Sequence, residues 1–175
     1  GKAKSTTVVF LDYNNSRDID FIVFNYGSGP NLFPNRRNGT FEDVSRQSGM
    51  AVPSPFGAAT GDLNKDSYED LVTPAGFYRN TVGSRFAPVK TPVSTDETVS
   101  AWSTLAFDYD NDGWLDTLVV GKDCRLLKNL GAKGFSDVSA QAGLSGLPTA
   151  AARSATIADY DNDGDNDLLV VNNGG

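Results

Sequence analysis

Apolar residues in this chain occur in short runs that are bounded by Asp, Asn, Gly or Pro. Runs of this length with many β-branched residues are typical of buried β-strands. No amphipathic segment of ten or more residues occurs in the sequence, which argues against a helical repeat. The runs that follow an acidic stretch lie at 21–24, 71–73, 117–120 and 168–171, and those that precede one lie at 7–11, 58–61, 104–107 and 155–158.

The acidic residues are concentrated in four nine-residue windows, which hold 16 of the 22 Asp and Glu residues. The first residues of consecutive windows are 50, 46 and 51 positions apart, which indicates a repeat array. Carboxylates placed this closely repel one another unless a cation neutralises them. The windows are DYNNSRDID at 12–20, DLNKDSYED at 62–70, DYDNDGWLD at 108–116 and DYDNDGDND at 159–167.

A second element recurs behind the first three windows, where a Phe follows an Asn by six residues. Gly, Asn and Ser between the two residues are typical of a hairpin turn. One repeat is therefore predicted to contain a strand, an acidic loop, a strand, a hairpin and further strand, which makes four antiparallel strands in about 50 residues. The pairs are Asn35 and Phe41, Asn80 and Phe86, and Asn129 and Phe135.

This pattern predicts an all-β protein built from β-propeller blades of four antiparallel strands, with about three and a half blades in this chain. The predicted blades cover about 6–50, 56–94 and 102–144, and half a blade covers 153–175. They contain 14 predicted strands, whereas closing even a four-bladed ring takes about sixteen. Open strand edges tend to pair with other chains. We therefore expect the rest of a longer propeller chain, or a second copy, to complete the ring.

The third and fourth windows carry the ligand pattern of a calcium loop. Side chains at alternate positions can converge on one cation, while the Gly at the sixth position allows the chain to wrap around it. An all-oxygen set of this kind suits Ca²⁺ and offers nothing to a soft metal. The predicted ligands are Asp108, Asp110, Asp112, the Trp114 carbonyl and Asp116 in the third window, and Asp159, Asp161, Asp163, the Asp165 carbonyl and Asp167 in the fourth.

An EF-hand is excluded, because Val119 and Val170 occupy the twelfth position, where that motif needs a Glu. The loop closes at its ninth residue instead, between two strands. The segments D-x-D-x-D-G-x-x-D, DLLVV and LLKNLGAKGFSDVSAQAGL resemble the FG-GAP/VCBS repeats of integrin α-subunit-type β-propellers. The resemblance implies a propeller with one Ca²⁺ in each loop, placed between the first two strands of a blade.

The first two windows depart from this pattern. Asn64 and Ser67 replace an acid and the glycine in the second, while Asn14, Ser16 and Arg17 replace two acids and the glycine in the first. We therefore expect three Ca²⁺ sites and a fourth, weaker one at 12–20, unless the first loop keeps its shape without metal. The predicted ligands are Asp62, Asn64, Asp66, the Tyr68 carbonyl and Asp70 in the second window, and Asp12, Asn14, Ser16, the Asp18 carbonyl and Asp20 in the first.

Composition removes several classes of function. The chain has no His, which excludes Ser-His-Asp and Cys-His catalysis and removes the commonest zinc ligand. A net charge of -7 argues against a nucleic-acid partner, and no apolar stretch is long enough for membrane insertion. The single cysteine, Cys124, is interpreted as a small buried hydrophobic residue.

These observations predict a noncatalytic, calcium-binding module that recognises a protein or glycan ligand in an extracellular, cell-surface or periplasmic location. Two alternatives stay open: a propeller domain of a secreted, calcium-dependent polysaccharide-active enzyme, and a structural subunit of a cell-surface assembly. Trp102, Trp114 and Tyr109 are interpreted as packing residues, with a carbohydrate platform as the alternative. Asn14 and Asn38 begin N-x-S/T sequons that also suit loop and turn geometry.

Overall fold

The computed structural model describes residues 4–50, 56–91, 102–121, 124–145 and 152–172. The predicted all-β class is confirmed, and within these ranges no helix is long and apolar enough to cross a membrane. The predicted blade boundaries at 94 and 175 lie outside the described residues. The strands are β1 (Lys4–Leu11), β2 (Asp20–Tyr26), β3 (Ser28–Phe33), β4 (Ala59–Gly61), β5 (Asp70–Thr73), β6 (Gly76–Asn80), β7 (Phe86–Val89), β8 (Ser103–Phe107), β9 (Asp116–Val120), β10 (Arg125–Asn129), β11 (Phe135–Asp137), β12 (Ala152–Ala158) and β13 (Asp167–Asn172), and a 3₁₀ turn covers Gly131–Lys133.

The strands form four antiparallel sheets, numbered here in chain order. Sheet 1 has the strand order β1-β2-β3, sheet 2 has β4-β5-β6-β7, sheet 3 has β8-β9-β10-β11, and the described part of sheet 4 is β12-β13. In every sheet the acidic window joins the first two strands, as predicted from the sequence. In sheet 3, for example, Phe107 pairs with Asp116 across the ends of that loop.

Sheet 1 differs from the four-stranded prediction, because its fourth strand is reduced to a single bridge between Asn35 and Phe41. The residues that follow still run beside β3, where the Val44 N–H donates to the Leu32 carbonyl at 3.0 Å. The Ser45 Oγ accepts the Leu32 N–H at 3.1 Å, but the Ser139 Oγ accepts the equivalent Leu126 N–H in sheet 3, where β11 is regular. The difference lies at Pro34, which has no N–H to donate to Glu42, whereas Lys128 at the equivalent position pairs with Ser136.

Among the described residues, the apolar core forms three clusters between consecutive sheets. The first cluster joins Ile22 and Phe24 of sheet 1 to Leu71 of sheet 2. The other two join sheet 2 to sheet 3 and sheet 3 to sheet 4 in the same way. Burying one Leu or Ile side chain in such a cluster stabilises the fold by about 1.5–3 kcal/mol. The sheets are therefore stacked face to face in chain order.

Adjacent residues of an inner strand contact different neighbouring sheets. Leu71 packs in the cluster with sheet 1, whereas Val72 packs in the cluster with sheet 3, because successive side chains point to opposite faces of a strand. In β9 all five residues are buried. This two-sided burial explains why these strands are continuous apolar runs without polar alternation. Cys124 is buried beside Leu126 in the cluster between sheets 3 and 4, as predicted.

Candidate metal centre

The four acidic loops share one hydrogen-bond pattern, and they are numbered here as loops 1 to 4 with positions 1 to 9 in each. The Asp at position 1 accepts the main-chain N–H groups of positions 5 and 6 at 2.7–3.1 Å in every loop. These bonds to N–H groups four and five residues further on curl the chain around that carboxylate. The four position-1 residues are Asp12, Asp62, Asp108 and Asp159.

The backbone of every loop takes the left-handed conformation at positions 4 and 6. At position 6 this conformation was predicted for glycine, yet Arg17 and Ser67 adopt it as well. A side chain at positive φ carries a conformational cost that glycine avoids. Loops 1 and 2 therefore adopt the same backbone conformation as loops 3 and 4 at a higher cost in free energy. The φ angles are Asn15 55° and Arg17 66°, Lys65 60° and Ser67 72°, Asn111 58° and Gly113 83°, and Asn162 61° and Gly164 94°.

The Asp at position 9 closes each loop from the first residue of the following strand. In loop 3, Asp116 accepts the Tyr109 N–H at 3.0 Å and the Asn129 N–H at 2.7 Å. Asp20 and Asp70 accept the equivalent pairs of N–H groups in loops 1 and 2. Asp167 in loop 4 accepts the Tyr160 N–H at 2.8 Å.

The Asp residues at position 9 differ in their solvent exposure. Asp20, Asp70 and Asp116 are buried, while Asp167 is exposed. Burial raises the pKa of all three buried carboxyls, and it raises that of Asp70 to about 6. The two N–H bonds to each carboxylate act in the opposite direction and favour its charged form.

The structure brings the carboxylates of positions 1, 3 and 9 together in loops 3 and 4. In each group the three residues offer oxygen atoms that lie within 4.8 Å of one another. Two oxygens bound to one Ca²⁺ at about 2.3–2.6 Å lie no more than about 5 Å apart, so this spacing fits that ion. The groups are Asp108, Asp110 and Asp116 in loop 3, and Asp159, Asp161 and Asp167 in loop 4.

The side chains at position 5 were predicted to be metal ligands, and in loops 2 to 4 they bond the main chain of their own loop. The carboxylate Oδ1 atoms of Asp66, Asp112 and Asp163 each accept the N–H of position 7 at 2.9 Å. The position-7 residues Tyr68, Trp114 and Asp165, proposed from the sequence as carbonyl ligands, are thus held at their main-chain nitrogens. In loop 2 the position-3 residue Asn64 donates from Nδ2 to Asp66 at 2.9 Å.

A lysine that the sequence pattern did not place near any loop lies against loop 3. The Nζ of Lys128, on β10, contacts Asp110 and lies 3.0 Å from Asp112. The Trp114 N–H and this lysine lower the pKa of Asp112, and the two carboxylates raise the pKa of Lys128. Two of the predicted ligands of loop 3 therefore already contact a cation of the chain itself.

An arginine missed in the same way contacts loop 1. Arg37 lies in the hairpin after β3, and its guanidinium contacts the Asp18 carboxylate and the Ser16 carbonyl. The Ser16 Oγ donates to the same carboxylate at 3.3 Å, and the Asn14 Oδ1 accepts the Ser16 N–H at 3.1 Å. Positions 3, 5 and 7 of loop 1 are therefore bonded to one another and to Arg37.

Consecutive loops lie side by side, because position 8 of one loop contacts the start of the loop before it. Glu69 accepts the Asp12 N–H at 3.2 Å, and Asn166 donates from Nδ2 to the Asp108 carbonyl at 3.1 Å. Between loops 2 and 3 the contact is apolar: a Cβ atom on Gly61 would lie 2.6 Å from the Leu115 side chain. The four loops therefore form one row at the same end of the stacked sheets.

The two indole rings considered as a carbohydrate platform are covered by neighbouring residues. The Lys65 Nζ lies 4.2 Å from the centre of the Trp114 ring, and Gly131 packs against the same indole. Arg153 lies 4.2 Å from the Trp102 ring, which also contacts Phe56. These contacts favour the packing interpretation.

A cavity of about 350 Å³ opens between sheets 2 and 3, beside loops 2 and 3. Aromatic side chains form much of its wall, and Arg79 and Asn64 supply polar groups. The Asp70 carboxylate also borders it, but its two oxygens accept the Leu63 and Asn80 N–H groups. The cavity therefore offers an aromatic surface and a guanidinium to a ligand, while the one carboxylate among its described lining residues is already bonded.

The family model of the FG-GAP-like repeat matches residues 12–73 and 108–170. Each match begins at position 1 of an odd-numbered loop and ends in the strand that follows the next loop. The chain belongs to the FG-GAP-like repeat family. This result confirms the family that the acidic windows and the DLLVV segment suggested. Among curated protein sequences, no match to the chain is found.

Proposed function

We propose that this FG-GAP repeat chain is part of a calcium-stabilised β-propeller that binds a protein or glycan ligand and has no catalytic role. The calcium assignment rests on one observation, the convergence of three carboxylates at the same positions of loops 3 and 4. Carboxylates held this close repel one another, and a divalent cation between them removes the repulsion. The donors are all oxygen, which favours a hard cation such as Ca²⁺.

The stacking of the sheets supports a propeller arrangement. Consecutive antiparallel sheets pack face to face, and their acidic loops form a row at one end. Blades arranged around an axis place equivalent loops on a common face in this way. Such a face, with the cavity beside loops 2 and 3, is a suitable surface for a protein or glycan.

The bonding of the carboxylates supports a noncatalytic role. Asp20, Asp70 and Asp116 each accept two main-chain N–H groups, so their oxygens hold the backbone. The chain also has no His to act as a general base. An extracellular, cell-surface or periplasmic location is consistent with these loops, because calcium there reaches the concentrations that weak sites need.

Calorimetric titration with Ca²⁺ tests the metal assignment. Asp110→Ala and Asp161→Ala should each remove one bound ion, whereas Glu42→Ala, which alters an exposed carboxylate outside the loops, should remove none. Chelation should lower the melting temperature of the wild type, because each site at a hundredfold excess over Kd stabilises by about 2.7 kcal/mol. Mg²⁺ should substitute poorly, since it gives up its water reluctantly. A melting curve unchanged by chelator would contradict the proposal.

A polysaccharide panel with Ca²⁺ present separates a binding module from an enzyme. Binding should saturate without any new reducing ends or unsaturated products. Release of either product at a rate proportional to protein concentration would favour the polysaccharide-active alternative. If the wild type does release product, Asp70→Asn tests the carboxylate that borders the cavity. Unchanged product release in that variant would show that Asp70 is not the reacting group.

A further inference from the structure

We infer that loop 1 is held in shape by the guanidinium of Arg37 and binds no metal ion. This inference rests on the proposed calcium function of the other loops and departs from it at residues 12–20. The sequence pattern places all four loops in one series. The contacts of the first loop separate it from the rest.

The donor set of loop 1 fits Ca²⁺ poorly. Positions 3 and 5 carry the neutral residues Asn14 and Ser16, so the predicted set has carboxylates only at Asp12 and Asp20. The oxygens of Asn14 and Ser16 already take part in bonds within the loop. Ca²⁺ affinity in oxygen sites depends on the number of charged ligands, and here two of the four side-chain ligands are uncharged.

Arg37 holds the segment of loop 1 that a carboxylate holds in the other loops, through different atoms. In loops 2 to 4 the Asp at position 5 accepts the N–H of position 7 and fixes that part of the turn. Ser16 has no carboxylate for this purpose. The Arg37 guanidinium instead bonds the Ser16 carbonyl and the Asp18 side chain, which are positions 5 and 7 of loop 1. The same segment is therefore held from outside the loop.

The hairpin geometry directs Arg37 to this position. Arg37 follows Asn35 by two residues and has a φ of 58°, and the equivalent residues Val82 and Gly131 have φ angles of 51° and 61°. In sheet 3 the equivalent contact also exists, because Gly131 packs against Trp114 at position 7 of loop 3. In both sheets the hairpin therefore contacts position 7 of the acidic loop. The contact is between Arg37 and Asp18 in sheet 1, and between Gly131 and Trp114 in sheet 3.

The positive charge of the Arg37 guanidinium disfavours binding of a metal cation in loop 1. Arg17 and Arg37 offset two of the three Asp residues of loop 1, and Glu69 of loop 2 adds one carboxylate beside Asp12. Loop 1 therefore carries less negative charge than loop 4, which has five Asp residues and no basic residue. A divalent ion in the loop would also be repelled by the guanidinium beside Asp18. A guanidinium stays charged at every accessible pH and donates several hydrogen bonds in a fixed plane, so it can bridge a carboxylate and a carbonyl at once.

Thermal melting of Arg37→Ala tests the structural half of the inference. Arg36→Ala is the matched control, because Arg36 lies in the same hairpin and pairs with Glu42 at 2.6 Å, away from the loop. Arg37→Ala should lower the melting temperature by about 2–4 °C more than the control. The loss should be the same in chelator and in saturating Ca²⁺. Equal melting of the two variants, or a loss seen only with Ca²⁺, would overturn the inference.

Calcium stoichiometry tests the metal half. Asp12→Asn should leave the number of bound ions unchanged, whereas the equivalent Asp108→Asn in loop 3 should lower it by one. A drop of one ion in Asp12→Asn would show that loop 1 binds metal and would overturn the inference. If the wild type binds no Ca²⁺, the proposed function fails, and the melting of Arg37→Ala in chelator still decides whether Arg37 holds the loop.

Discussion

At the residue scale, the Asp at position 9 of loops 1 to 3 is a buried carboxylate that is hydrogen-bonded to the main chain. Asp20 and Asp116 are completely inaccessible to solvent, and Asp70 is 2% exposed. A buried carboxylate is costly unless hydrogen bonds satisfy it, and each of these receives two main-chain N–H groups. Burial still raises the pKa of each carboxyl. A cation bound to the loop would favour the charged form of the same group.

Lys128 should weaken calcium binding at loop 3. Its Nζ contacts Asp110 and Asp112, so Ca²⁺ has to displace an ammonium group from two of its predicted ligands. We expect Lys128→Met to raise the affinity of loop 3 for Ca²⁺ by about fivefold, the size of a partly exposed ion pair. Calorimetry measures this change.

Lys133→Met is the control, because Lys133 is an exposed lysine at the end of the neighbouring 3₁₀ turn. Its affinity for Ca²⁺ should equal that of the wild type. A weaker affinity in Lys128→Met would show that the lysine supports the site and does not compete with the ion. Counting carboxylates alone places loops 3 and 4 together as the tightest sites, and Lys128 gives a reason for them to differ.

At the scale of elements, Asn80 and Asn129 each connect their own hairpin to two loops. The Asn80 N–H bonds Asp70 in its own sheet, while its Nδ2 donates to the Tyr13 carbonyl of loop 1 at 2.8 Å. Asn129 bonds Asp116 and the Leu63 carbonyl of loop 2 in the same arrangement. The sequence pattern indicated only that these residues form turns. Their additional role joins neighbouring sheets at the end where the loops lie.

Asn80→Ala should lower the free energy of unfolding by about 2–3 kcal/mol, because it leaves the buried Tyr13 carbonyl and the Gly83 N–H without their partner. Urea denaturation measures the loss. Asn166→Ala is the control: it removes an exposed bond to the Asp108 carbonyl at a position without positive φ, and should cost no more than about 0.5 kcal/mol. Equal costs for the two variants would show that the bond between sheets 1 and 2 contributes little.

At the scale of the whole molecule, the two end sheets expose faces that are buried elsewhere. Leu118 in sheet 3 is fully buried, while Leu169, at the equivalent position of sheet 4, is 63% exposed. On sheet 1, Val8 and Phe10 are 46% and 64% exposed. Exposed apolar faces of this kind mark interaction surfaces. In the proposed propeller they are the faces that further blades, from the same chain or a second copy, would cover.

Leu169→Lys should reduce self-association of the 175-residue chain and leave the melting temperature of the dilute, monomeric chain unchanged, because it places a charge on an exposed apolar face. Leu118→Lys, the equivalent change in a buried face, should lower the melting temperature sharply, since a buried unpaired charge is strongly unfavourable. Light scattering and thermal melting measure the two effects. A wild type that is monomeric at all concentrations would contradict the expected association.

The sequence by itself determined the features that depend on residues close together in the chain. The period of the acidic windows and the apolar runs on either side predicted the all-β class, the repeat family and the strands that border each loop. The converging positions of loops 3 and 4 could be placed in the same way, because they lie within nine residues. The reduction of the fourth strand of sheet 1 to one bridge was not predicted, although Pro34, which has no N–H to donate to the ladder, is visible in the sequence.

Only the tertiary structure decided which charges meet across larger separations. Arg37 is 19 residues from Asp18, and Lys128 is 18 residues from Asp110, so no local spacing indicates either contact. The burial of Asp70 and Asp116 and the exposure of Asp167 also depend on what packs against each sheet, although the three residues occupy the same position of their loops. Loops with one sequence pattern therefore have different electrostatic surroundings, because long-range packing sets which groups surround each carboxylate.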